Sequence, residues 1–159
     1  MEWIDEIEGA LETCHALAAY LTADFPGSKW TDQEIGFCVK RRVLIVPVRI
    51  DINPYGFASR YQALPGKGRT PEVLAHGIFD TLVAHDLTSA QMASAVVSQF
   101  EGSRSYDSAR ANSKLLADVK TWTPDLLRRL EGAADKNSEI ANAWGVSSRV
   151  EAIIRGKGA

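Results

Sequence analysis

The chain has 159 residues, 45% of them hydrophobic, and a formal net charge of -2. That length holds one ordinary globular core or two small ones, and the near-neutral balance, with a pI near 5.9, argues against a general attraction to nucleic acid or anionic lipid. No apolar run is long enough to span a bilayer, and the acidic, amphipathic start Met1-Glu2-Trp3-Ile4-Asp5-Glu6-Ile7-Glu8 is not a secretory signal.

Ile4, Ile7, Leu11 and Cys14 recur at helical spacing and predict an amphipathic helix over residues 3–14, with its acidic residues outward. Leu17 to Thr22 and Val43 to Ile50 are short continuous apolar runs, the pattern of strands covered on both faces. A helix of about ten residues fits between them, and strand-helix-strand implies two parallel neighbours in an α/β sheet. Pro47 cannot donate to a ladder, so it belongs near a strand end or at a locally unpaired position. Residues 51–71 are rich in Pro, Gly and polar groups and read as a long loop, in which Tyr61-Gln62-Ala63-Leu64 offers a short third strand.

Pro71 opens a helix marked by Leu74, Ile78, Leu82 and Val83. Everything after Thr88 reads as helices. Met92, Val96, Val97 and Phe100 form one stripe, and Leu115, Leu116 and Val119 another. Thr123-Pro124 starts a helix carrying Leu126, Leu127 and Leu130, with Pro at a favoured first-turn position. Ile140 and Trp144, then Val150, Ile153 and Ile154, supply the last apolar positions. The organisation is therefore residues 1–87, α/β, and residues 88–159, all-helical, with a soft boundary. Cys14 and Cys38 lie in periodic apolar patterns without metal-ligand spacing and read as buried, reduced thiols of a cytoplasmic protein. His15, His76 and His85 are scattered, so no metal site is expected.

Two stretches carry candidate chemistry. Thr31-Asp32-Gln33-Glu34 matches a capping box, in which Thr31 would be the N-cap and Glu34 would reach back to its amide. The competing reading makes Glu34 a carboxylate facing a cleft, and the direction of its side chain separates the two. Asn137 to Ser147 is similar to the middle of a helix-turn-helix, with Gly145 in the turn. Val150 falls one residue early for a recognition helix, and only Arg149 and Arg155 flank Glu151, so a plain helical hairpin is the preferred reading.

The segment order is a strand through Leu17 to Thr22, Ser28-x-Trp30-x-x-x-Glu34 on a helix, a strand at Val43 to Ile50, then Pro54-Tyr55-Gly56-Phe57. That order resembles the Toll/interleukin-1 receptor (TIR) domain of bacterial proteins. The resemblance implies a partial TIR-like (flavodoxin-like) parallel sheet with flanking helices, followed by an all-helical C-terminal extension. It implies NAD+ cleavage at the nicotinamide-ribose bond, giving ADP-ribose or a cyclised variant, in signalling or antiphage defence. Glu34 would be the catalytic carboxylate, and Trp30, Ser28 and Tyr55 would contact substrate. NAD+ enters as substrate, with no resident cofactor, no membrane partner and no nucleic acid. The alternative is a non-catalytic TIR scaffold acting by self-association. TIR-like domains normally open with a further strand, loop and helix, which this sequence lacks. The expectations are a chain truncated at its N-terminus, poor NAD+ turnover, and a bare strand edge that another chain covers.

Overall fold

The computed structural model describes the backbone of residues 2–28 and 30–157 and the side chains of residues 5–28 and 30–157. It is an α/β structure that divides into two compact units, Met1–Leu82 and Val83–Ala159. The sequence boundary near residue 87 lies a few residues further along. Helix α1 spans Glu2–Thr13, strand β1 Ala16–Leu21, helix α2 Thr31–Arg41 and strand β2 Leu44–Arg49. Strand β3 is only Leu64–Pro65, and helix α3 runs Pro71–Ala84. Ile4, the first residue of the predicted α1 stripe, lies outside the described side chains.

The three strands form one parallel sheet in the order β1-β2-β3. β1 pairs with β2 along its whole length, from Ala16 opposite Leu44 to Leu21 opposite Arg49. β2 is central and buried from Leu44 through Val48, as a continuous apolar run predicts. β1 departs from that expectation. Ala19 and Leu21 face the core, but Ala18 is exposed and Tyr20 keeps 46% of its surface in solvent. The physical reason is that β1 is an edge strand with α2 on only one of its faces.

Pro47 sits inside β2, not at its end, and the register explains why it is tolerated. The Arg49 carbonyl accepts from Gly66 N–H on the β3 side at 2.8 Å. Backbone groups alternate sides, so the Pro47 nitrogen also faces β3, which pairs only with Val48 and Arg49. Predicted strand residues Tyr61, Gln62 and Ala63 remain outside the ladder. The core of this unit gathers Ala19, Leu21, Ile35, Cys38, Val43, Ile45 and Ala58, with Leu11, Cys14 and Phe25 packed against it.

The second unit contains α4 (Ser89–Glu101), α5 (Tyr106–Leu115), α6 (Pro124–Glu131), α7 (Ala133–Lys136), α8 (Ser138–Ala141) and α9 (Val146–Lys157). Val96, Val97, Phe100, Leu116, Val119, Leu126, Leu130 and Ile140 are buried, following the sequence stripes. Trp144 is the exception, 87% exposed in the turn before α9. Gly145 turns the chain there with φ +77°, and Ala143 and Val146 take the buried positions instead. Among the described residues no helix is long and apolar enough to cross a membrane.

Candidate functional site

The start of α2 decides between capping and cleft. Trp30, not Thr31, occupies the N-cap position, and no side chain caps it. The Thr31 hydroxyl turns away from the helix and donates to the Phe25 carbonyl at 2.9 Å and to that of Ser28 at 3.3 Å. Glu34 N–H donates to the Trp30 carbonyl at 2.9 Å, an ordinary helical bond. The capping box spelled by Thr31 to Glu34 therefore does not form: the helix already includes Thr31, and the threonine hydroxyl is aimed back at the preceding 3₁₀ turn (Phe25–Gly27). Among the described residues, no hydrogen bond or ion pair engages the Glu34 carboxylate.

Glu34 instead lines a cleft of about 340 Å³ between α1 and α2. Trp30, Gln33, Glu34 and Phe37 form one wall, at the i, i+3, i+4, i+7 spacing of a single helix face. Ile7, Glu8, Leu11 and Glu12 form the other. Arg41 helps hold the two helices in place, since its guanidinium donates to the carbonyls of Leu11 and Cys14. At the far end of α2, Arg42 adopts φ 59° and its N–H bonds Val39 and Cys38 carbonyls, which turns the chain into β2.

Three carboxylates and two aromatic rings, with no basic side chain in the lining, give the cleft a definite character. It favours a flat, positively charged aromatic group, held by carboxylate attraction and by the ring faces. Trp30 and Phe37 are half-exposed, so the cleft is open to solvent.

The other two residues named from the sequence stand apart. Ser28 is exposed, and its hydroxyl accepts the Trp30 N–H at 3.4 Å, outside the cleft lining. Tyr55 packs edge-on against Phe25, with ring centroids 6.3 Å apart, and also does not line the cleft. Its hydroxyl is buried with no hydrogen-bond partner among the described residues; Asp32 and Thr31 lie nearby, out of bonding geometry. Burial first, and then the Asp32 carboxylate, holds this phenol above its ordinary pKa.

Glu8, Glu12, Gln33 and Phe37 were not legible as site residues. Glu8 and Glu12 read as solvated charges on α1, and only the packing of α1 beside α2 gives them a ligand-sized space to face. The periodicity of Trp30, Gln33, Glu34 and Phe37 was the one available signal.

In the second unit the helix-turn-helix-like segment folds as a four-residue α8, a turn and α9. Arg149 donates to the Ser113 hydroxyl at 2.6 Å and is committed to packing inside that unit. Among the described residues no group of three His, Cys, Asp or Glu is placed to hold a metal ion. Comparison with protein-family models, with curated proteins and with solved structures finds no match.

Proposed function

We propose that the first unit is a TIR-type domain that cleaves NAD+ at the nicotinamide-ribose bond, with Glu34 as the catalytic carboxylate, in a signalling or antiphage-defence role. The observation that carries this reading is the uncommitted Glu34 side chain on the wall of an acidic, aromatic cleft. Nicotinamide in NAD+ is a flat cation, the class of group that such a lining attracts.

The reaction asks little of the protein. The C1′–N bond breaks with its electron pair going to the ring nitrogen, so nicotinamide leaves neutral and needs no general acid. Positive charge develops on the ribosyl C1′ and ring oxygen, as in glycoside hydrolysis. A fixed carboxylate beside the ribose stabilises that charge. Water then adds to C1′ and releases a proton to solvent, giving ADP-ribose, or an internal nucleophile closes a cyclic product. Trp30 and Phe37 supply ring faces for the base, and α2 supplies a rigid support for Glu34.

Chromatographic measurement of nicotinamide released from NAD+ tests the reading. Release above the uncatalysed background is expected from the wild-type chain. Glu34→Gln is expected to lower that rate by about 10²–10³, the usual cost of removing one preorganised transition-state contact. The same change is expected to shift stability by about 0.5 kcal/mol or less, since it removes only a first-turn charge. An unchanged rate in the Gln variant, or no release above the uncatalysed background in wild type, would refute the assignment, the second result favouring the non-catalytic scaffold.

A further inference from the structure

We propose that the cleft between α1 and α2 takes an unphosphorylated, positively charged nucleoside, an N-ribosylpyridinium such as nicotinamide riboside, in preference to the phosphate-bearing dinucleotide. The inference rests on the reading of Glu34 given above and narrows its substrate class.

Size is the first constraint. At about 340 Å³ the cleft stands at the low end of ligand pockets, which run to roughly 300–1,000 Å³. A pyridinium ring and one ribose fill such a space. A dinucleotide must carry its diphosphate and second nucleoside outside it, over the surrounding surface.

Charge is the second. Glu8 and Glu12, one turn apart on α1, line the wall opposite Glu34, and among the described residues the lining holds no Lys, Arg or His. Phosphate sites draw their counter-charge from basic side chains or from an open helix N-terminus. The start of α2 is a poor source, because Asp32 and Glu34 lie in its first turn and offset its positive end. The Arg41 guanidinium, near the other end of α2, is engaged by the carbonyls of Leu11 and Cys14.

The dinucleotide therefore brings its diphosphate toward three carboxylates, whereas the riboside brings a positive ring and no phosphate. That ring also meets the faces of Trp30 and Phe37, which stand on the Glu34 wall. Bond cleavage follows the same course in the smaller substrate. Nicotinamide leaves with the C1′–N electron pair, water adds to C1′, and ribose and a proton are released.

Nuclear magnetic resonance titration of the isotope-labelled full chain tests this, with the Trp30 indole and the Glu34 and Phe37 amides as probes. Nicotinamide riboside, nicotinamide mononucleotide and NAD+ are each added to about 5 mM, above the dissociation constants of all but feeble contacts. At low salt the riboside is expected to bind about fivefold more tightly than NAD+, the effect of roughly one charge contact in water, with the mononucleotide between. The preference is expected to shrink toward nothing at about 0.5 M salt, where such contacts are screened. Glu8→Gln with Glu12→Gln, both exposed positions, is expected to cut it by about half. Equal or tighter binding of NAD+ overturns the proposal. So does a preference that salt leaves unchanged, and so does a riboside titration that moves none of the three probes. Nicotinamide release, measured separately, decides the parent reading. Selective riboside binding without release refutes cleavage and sustains the recognition, whereas release from NAD+ without a riboside preference refutes the recognition alone.

Discussion

Alanine at Gly66 tests how tightly β3 closes onto β2. An added Cβ would stand 2.6 Å from Ile50 Cδ1, 2.7 Å from Val48 Cγ1 and 3.1 Å from the Arg49 carbonyl oxygen. The Ile50 methyl is the far end of a flexible side chain and can swing aside. Val48 cannot, because it is β-branched, fully buried and fixed in the central strand. Carbon atoms prefer about 3.5–4.0 Å, so the Val48 contact is roughly 0.8 Å too close. Relief requires β3 to move outward, which stretches the 2.8 Å Gly66–Arg49 hydrogen bond. Overpacking of this kind costs about 1–3 kcal/mol, and with a urea slope near 1 kcal/mol/M for a unit of this size the midpoint drops by roughly 1–3 M. Gly36 is the control: it lies in α2 with open space where its Cβ would go, so Gly36→Ala is expected to gain about 0.5–1 kcal/mol. Urea titration by circular dichroism, with amide exchange of residues 44–49 as the local readout, measures both. Similar shifts in the two variants, or a Gly66→Ala protein as stable as wild type, would refute the packing argument.

Two further outcomes are expected. Burial, and then the adjacent Cys14, pushes the Cys38 thiol up to about 11, so the folded state holds its proton where the unfolded chain releases it. That contribution is fully present below pH 9 and is lost as pH rises through 11, a fall of about 2–3 kcal/mol that a Cys38→Ala variant would lack; with Ellman's reagent at pH 8, Cys14 is expected to label well before Cys38. Asn137 donates to the Glu101 and Ser103 carbonyls, both at 2.9 Å, and accepts the Glu139 N–H at 2.9 Å. Asn137→Ala is expected to destabilise the helical unit by about 1–3 kcal/mol, and an effect below 0.5 kcal/mol in thermal unfolding would contradict that role.

The strand-helix-strand unit was legible because its two apolar runs and the turn residues between them state the parallel crossover locally. β2 was read well, since a central strand is buried on both faces and its composition says so. The continuous apolar run of β1 suggested two covered faces, whereas its Ala18 and Tyr20 face is open; its bare edge was expected. Pro47 needed the register of β3, which no local pattern encodes. At the site, the letters of Thr31 to Glu34 spelled a cap, but the helix starts one residue earlier than that reading needs and the threonine hydroxyl points back at Phe25 and Ser28. Trp30 and Glu34, named together only through the resemblance, line one wall of the cleft, whereas Glu8 and Glu12 join it only through helix packing. In the helical unit the stripes located the core, but the links from Asn112 to Gln99 and Ser103, and from Arg129 to Glu101 and Ser98, join residues too distant in sequence for periodicity to connect.

The Asn137 amide also makes the connections of the helical unit unequal as places to cut or extend the chain. The link between α4 and α5 looks from its sequence, Gly102-Ser103-Arg104, like a permissive surface loop. Its Ser103 is buried, bonds Phe100 through both N–H and hydroxyl, and lends its carbonyl to Asn137. An inserted tag there would tear a seam that also closes the end of α4. The Trp144-Gly145 turn bears its large side chain outward and is the better graft site, since tolerance follows the burial and bonding of the backbone. A fluorophore or affinity handle placed at that turn would report on the helical unit while leaving its interior intact.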